Sequence, residues 1–385
     1  MSELTGNWNY PTQVKFGVGR IKELPEICNS LGINKPLLVT DYGLADLPIV
    51  TQLVEQCEKA GLLIKVFKDV KSNPTGENIE AGLAAYMKGG HDAVVAFGGG
   101  SSLDAGKAIA LMVGQTHDLW SFEDVGDNWL RVNEATVAPI IAVPTTAGTG
   151  SEVGRASVIH DVVANKKKII FHPKMLPQVV IADPELTTGL NVKMTAATGM
   201  DALSHNLEAY CAPGYHPMAD GIALEGIRLI KENLVKAVKD GEDMEARSHM
   251  LAASMKGATA FQKGLGGMHA LAHPLGAIFD AHHGLLNAIL MPYVLKNNRS
   301  AIDSRISRLA KYIDLDDSTF DGFITWVLDL RKIIGIPNYL SDIGINDDKI
   351  DEISEMALED PSNGGNPVTM TKGAYKKILQ EAIKS

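Results

Sequence analysis

Two different rhythms divide this chain of 385 residues. Up to about residue 188, short β-branched runs recur at Pro36–Thr40, Leu62–Phe67, Asp92–Phe97, Pro139–Val143 and Val179–Ala182. Helical stretches such as Asn78–Lys88 and Leu103–Val113 lie between several of them. Strand, helix, strand at this spacing demands a parallel sheet with helices on both faces. Val14–Gly19 reads as an extra edge strand or hairpin. Beyond residue 188 the segments Thr195–Tyr210, Gly221–Lys239, Met244–Phe261, Met268–Ala277, Leu285–Lys296, Ala301–Tyr312 and Thr319–Ile333 carry i, i+3, i+4 apolar spacing. No convincing alternating run remains, so the second half is expected to be all-helical. Asp183-Pro184 ends the last strand, and Pro217 and Asn363–Pro367 read as loops. A chain this long exceeds the ~250–300 residues at which one core stops growing. The expected division is an α/β domain over 1–188 and an all-α domain over 189–385.

Composition narrows the partners. A formal net charge of −10 and the absence of any Lys/Arg stripe beyond Lys166-Lys167-Lys168 argue against a nucleic-acid partner. No run of 18 apolar residues occurs, and the opening MSELTGNWNYPTQ lacks the basic and apolar regions of a signal peptide. Cys28, Cys57 and Cys211 are odd in number and widely spaced, which reads as reduced thiols in a cytoplasmic protein.

Gly98-Gly99-Gly100-Ser101 follows the apolar run AVVAF and leads into a helix. A glycine turn there lets backbone N–H groups approach a phosphate, and the helix N-terminus adds favourable partial charge. Ser101 or Ser102 can cap that helix. A tight turn alone needs one glycine of positive φ; three in a row exceed that need. The spacing matches neither the Rossmann fingerprint nor a Walker A loop. A second polar turn, Pro144 to Glu152 (PTTAGTGSE), follows PIIAV and offers hydroxyls and amides to ribose and phosphate oxygens. Asp41 ends another strand, where a carboxylate can bind ribose hydroxyls and repel a 2′-phosphate, favouring NAD. Strand-end aspartates also serve as simple caps.

Seven of the eleven histidines fall between residues 205 and 283. Asp201 and His205 in GMDALSH, and His269 and His273 in HALAHPLG, each lie one helical turn apart on one face. With His283 they offer imidazoles and a carboxylate, the donor set of a first-row transition metal. The alternative is a set of packed core histidines. His91, His117, His160, His172, His216 and His249 lack such surroundings and read as structural or solvated.

Together GGGSSLDAGKAIA, PTTAGTGSE, ATGMDALSH and HALAHPLGAIFDAHHG resemble the iron-containing (group III) alcohol dehydrogenases over essentially the whole chain. The resemblance implies a dinucleotide-binding α/β domain, a helical metal-binding domain, and a cleft between them holding NAD and a divalent metal, Fe2+ or alternatively Zn2+. Carried over position by position, it implies Asp201, His205, His269 and His283 as metal ligands. His273 matches a histidine near the metal that handles a proton or orients the nicotinamide. Asp41, Asn73, Gly99, Gly100, Ser101, Asp104, Thr145, Thr146, Thr149 and Lys167 would face the cofactor. The chain departs from the family pattern in two places. Ala260-Phe261-Gln262-Lys263-Gly264-Leu265-Gly266 reaches His269 one residue early, and Arg155 follows the GTGSE turn, for an anionic substrate or a surface ion pair.

The chemistry expected is hydride transfer between an alcohol and its aldehyde or ketone, with a Lewis acid stabilising the alkoxide and His273 or water relaying the proton. A small-molecule alcohol or aldehyde is the expected partner, and a homodimer or larger homo-oligomer the expected assembly. Rival readings are a glycerol-dehydrogenase-like polyol enzyme, a dehydroquinate-synthase-like lyase, and a non-enzymatic metal- and nucleotide-binding protein. The lyase should gather several Lys and Arg around the metal, and residues 195–290 show few near the ligands.

Overall fold

The computed structural model describes residues 6–8 and 12–383. Most of the opening segment Met1–Gln13, read above as no signal peptide, lies outside them. The described residues form two compact units, one of residues up to 146 with 150–188, the other of 147–149 with 189–385.

In the first unit the strands are β1 (Gly6–Trp8), β2 (Gln13–Phe16), β3 (Pro36–Asp41), β4 (Lys65–Val70), β5 (Ala93–Gly98), β6 (Ile140–Pro144), β7 (Ala156–Asp161), β8 (Lys166–Phe171) and β9 (Val179–Ala182). Seven of them make one sheet in the order β1-β2-β9-β6-β5-β3-β4. Its neighbours are parallel except for β1 with β2. The helices are α1 (Leu24–Ser30), α2 (Tyr42–Ala45), α3 (Pro48–Lys59), α4 (Gly76–Gly89) and α5 (Gly100–Met112). Both faces are buried because successive strand residues point opposite ways. Leu37, Val39, Val94 and Ile140 pack with Ile79 and Ile109 on one face. Leu38, Val95, Ile141 and Ile181 pack with Leu24, Val50 and Leu53 on the other. Each such fully buried aliphatic contributes roughly 1.5–3 kcal/mol of transfer free energy. The chain runs from β3 outward to β4, then returns to place β5 on the other side of β3. That reversal leaves a crevice at the strands' carboxyl ends, the usual ligand position in such sheets.

The second unit holds α6 (Val192–Cys211), α7 (Pro217–Lys239), α8 (Met244–Ala260), α9 (Gly267–Phe279), α10 (His283–Tyr312), α11 (Phe320–Ile334), α12 (Ile350–Glu359) and α13 (Lys372–Ile383). Helix α6 starts at Asn191, whose side chain accepts from Met194 N, and is buried without a break from Thr195 to Cys211. A helix buried all round is a core helix, so its polar residues must find partners.

Several sequence expectations need correction. Of the two readings of Val14–Gly19 the hairpin holds: β2 pairs antiparallel with β1, which takes the edge. Strand β4 begins three residues after Leu62; Leu62 and Ile64 are buried but precede the pairing with β3. An apolar run reports burial, and here burial starts before the ladder. The β7–β8 hairpin has no legible alternation, since its inward residues on β7 are Ser157, Ile159 and Asp161. Its charges are matched instead, Lys168 lying 3.0 Å from Asp161. The loop expected around Pro217 covers residues 212–216, and Pro217 itself opens α7, where its missing N–H costs nothing. Leu285–Lys296 and Ala301–Tyr312 are one helix, because polar Asn298 between them is buried against Asn366 at 2.8 Å. Neither Ser101 nor Ser102 caps α5; Gly99 occupies that position without a side-chain bond.

Candidate functional site

Helix α6 presents Asp201, His205 and Glu208 at i, i+4 and i+7, α9 presents His269 and His273, and His283 is the first residue of α10. One ligand atom each from Asp201, His205, His269 and His283 lie within 4.8 Å of one another. The His205 and His269 rings stack with centroids 4.7 Å apart, and His283 lies 5.2 Å from His269. Close approach of α10 depends on Gly284. A Cβ there would sit 2.5 Å from Ala197 O and 2.9 Å from Asp201 Cβ.

His269 is held in ligating form. Burial, reinforced by the neighbouring His205 imidazole, keeps it well below the usual histidine range, hence neutral. His269 Nδ1 lies 2.7 Å from Glu208 Oε2, and His205 Nδ1 lies 3.3 Å from Gly148 O. The Asn287 amide Nδ2 sits 3.0 Å from Asp201 Oδ1 and 3.2 Å from Nε2 of both His269 and His283. Two N–H groups cannot satisfy three acceptors, and Asn287 Oδ1 is buried without a hydrogen bond. Lone pairs that converge beyond the capacity of a neutral amide suit a cation. The donor set therefore fits a divalent transition metal.

His273 stands beside this group without joining it. Its ring lies 5.4 Å from His283 and nearly parallel, at 11°. Its Nδ1 is 2.8 Å from Asp360 Oδ2. Burial raises the Asp360 carboxyl, but the His273 charge and hydrogen bond outweigh it, leaving it below the usual carboxylate range. Phe261 packs against His205 at 5.2 Å, in the segment one residue shorter than the family pattern.

In the first unit, adjacency of β3, β5 and β6 brings the sequence candidates together. Asp41 accepts from Gly43 N and Leu44 N, and from the Ser102 hydroxyl at 3.2 Å. Thr145 N donates to Gly98 O at 3.0 Å, and Thr146 faces Gly99. Of the three glycines only Gly98 has positive φ, 144°; Gly99 and Gly100 instead leave bare backbone at the start of α5. Lys167 Nζ donates to Asn73 Oδ1 at 2.8 Å, a pair drawn together by the hairpin. Asp104 is engaged internally, by the Ser151 hydroxyl and by Val158 N at 2.9 Å. Thr149 groups with the second unit. Arg155 is exposed, with its guanidinium over the Phe171 ring at 5.6 Å.

Sequence reasoning missed Glu208, Asn287 and Asp360. The first two carry a signal, one turn beyond His205 and His283 respectively. Asp360 is 87 residues from His273 in sequence and has none.

Comparison with known proteins agrees with this geometry. A family described as "Iron-containing alcohol dehydrogenase" matches residues 11–184, and its C-terminal counterpart matches residues 195–383. The 4-hydroxybutyrate dehydrogenase of Cupriavidus necator is 38% identical over 97% of this chain and 99% of its own length. A crystal structure of 1,3-propanediol oxidoreductase is 35% identical, with a TM-score of 0.90 over 96% of this chain and 97% of that one. Sulfoacetaldehyde reductase from Bifidobacterium kashiwanohense, solved in complex with NAD+, is 30% identical, with a TM-score of 0.88 over 97% of each chain.

Proposed function

The chain belongs to the iron-containing alcohol dehydrogenase family, and from that premise we propose that Asp201, His205, His269 and His283 hold its metal while the α/β part of the chain, residues 1–188, binds NAD. The observation that carries this reading is the convergence of four ligand atoms within 4.8 Å. When bound, the metal supplies Lewis acidity at the alcohol or carbonyl oxygen, and the nicotinamide accepts or donates the hydride.

The chain's own groups do the rest. His273, fixed by Asp360, moves the proton between the alcohol hydroxyl and solvent. Amides of Gly99, Gly100 and Ser101 at the start of α5 bind the pyrophosphate. Thr145, Thr146 and Thr149 reach ribose and phosphate oxygens, as do Asn73 and Lys167 through their shared hydrogen bond. Asp104 supports the turn from beneath, and Asp41 selects NAD over NADP. Relatives named for 4-hydroxybutyrate and 1,3-propanediol support a short-chain primary alcohol with a second polar group at its far end. The three cysteines are unpaired and buried, which supports a cytoplasmic setting. Among the described residues no helix is long and apolar enough to cross a membrane. The assembly is a homodimer or larger homo-oligomer, checked by light scattering.

The test is elemental analysis of the purified protein combined with NAD- and NADP-linked assays on a panel of alcohols, diols and ω-hydroxy acids. One transition-metal ion per chain and NAD-linked turnover are expected. Turnover undiminished in the metal-stripped protein would overturn the metal assignment.

A further inference from the structure

Glu208 is buried in the core helix α6, 5% exposed, and is not one of the four residues that form the metal-sized group. Its two oxygens accept from two backbone N–H groups, Gly266 N to Oε2 at 2.8 Å and Met268 N to Oε1 at 2.7 Å, and Oε2 also lies 2.7 Å from His269 Nδ1. Gly266 is the N-cap of α9 and has no side chain with which to cap it. A carboxylate borrowed from α6 does so instead, and also suits the positive end of the α9 dipole. The same carboxylate reaches the one imidazole of α9 that belongs to the metal-sized group.

We infer that Glu208 is the positioning residue of the metal site: it holds His269 in the Nδ1–H tautomer, so that the bare Nε2 faces the other ligands. The inference rests on the ligand assignment proposed above. Both Glu208 oxygens already accept a backbone N–H, from Gly266 and from Met268, and a carboxyl group held as an acceptor on both sides takes the Nδ1 proton of the ring beside it, leaving the opposite nitrogen free to ligate. Nε2 of His269 indeed faces the convergence point, 3.2 Å from Asn287 Nδ2.

The isosteric variant Glu208→Gln separates this role from mere packing. A glutamine has one acceptor oxygen, and its NH2 must fall either at the Oε2 position, against Gly266 N and His269 Nδ1, or at the Oε1 position, against Met268 N. Either way the carboxylate charge is lost and a backbone N–H of the cap loses its acceptor, so the hold on the His269 ring weakens.

The experiment uses the full chain, metal-stripped and reloaded with Zn2+ alone. Competition with a fluorescent chelator gives the Zn2+ affinity, 15N NMR the tautomer of His269, and fluorescence titration the NAD affinity. We expect Nδ1–H alone in the wild type and loss of that single tautomer, with Nε2–H appearing, in Glu208→Gln. Zn2+ affinity should be weaker by about 10- to 100-fold, with NAD affinity and circular dichroism unchanged. Equal Zn2+ affinity in both proteins overturns the inference, as does Nε2–H in the wild type. The wild-type tautomer decides the question even if the variant does not fold. A wild type that binds no Zn2+ would instead sink the ligand assignment, with the tautomer still testing Glu208 independently.

Discussion

His269 and His273 lie one turn apart on α9, yet their carboxylate partners suit them to different work. His269 is buried against Glu208 and stays neutral, as a ligand must. His273 is bonded to Asp360 on its Nδ1 side, which leaves Nε2 to exchange a proton. Replacing His273 by Ala should lower kcat by roughly 10²-fold, the scale of a general acid–base contribution, with metal content nearly intact by elemental analysis. Loss of metal along with activity would make it a ligand; full activity would reduce it to packing. Asp360→Asn should lower kcat less and move the pH–rate profile, because the imidazolium loses its counter-charge. Asp41 carries a second residue-scale prediction. Its carboxylate caps α2, and Asp41→Gly should raise NADP-linked kcat/KM relative to NAD by removing repulsion of a 2′-phosphate. The lost cap affects both cofactors alike and cancels in the ratio. An unchanged ratio would leave Asp41 as a turn residue.

Between elements, two close contacts are open to test. The start of α10 lies this close to α6 because residue 284 has no side chain. Gly284→Ala puts a Cβ 2.5 Å from Ala197 O, so the helices must part. The cost should be about 1–3 kcal/mol, read by denaturant unfolding, and His283 should move from its co-ligands, so Zn2+ affinity should fall as well. The other contact is the buried Glu152 beside Lys107 under α5. Burial pushes the Glu152 carboxyl up from 4.5 to about 7, only partly opposed by its backbone hydrogen bond and Lys107. A folded-state pKa above the unfolded value means the folded chain keeps the proton longer. Stability from this group is therefore full at the acidic end and declines as pH rises from about 4.5 to about 7. Relative to wild type, the Tm of Glu152→Gln should rise across that window; a constant offset would contradict the assignment.

At the scale of the whole molecule, the four proposed metal ligands and the glycine-rich turn at residues 98–100 belong to separate compact units. His269→Ala and His283→Ala should each lose bound metal and essentially all turnover, while NAD affinity stays within about threefold by fluorescence titration. The threefold margin allows for a small electrostatic change where a cation no longer binds. Metal retained at full stoichiometry in either variant would refute the ligand assignment.

What the sequence determined by itself was whatever is periodic or local. The β-branched runs gave the parallel sheet, the 3.6-residue spacing gave the helical second half, and one-turn steps paired Asp201 with His205 and His269 with His273. Where inward residues are polar, periodicity was silent, as with Ser157 and Asp161 of β7 or Asn298 within α10. Such side chains are buried because a partner awaits them, and the partner is far along the chain. Tertiary structure alone decided that Glu208 meets His269 across 61 residues, that Asp360 meets His273 across 87, and that Asn287 points its amide at three ligand atoms. The reason is physical: a buried polar group is satisfied by whichever donor or acceptor the packing brings within 3 Å, and that choice is made by the fold rather than by neighbours in sequence.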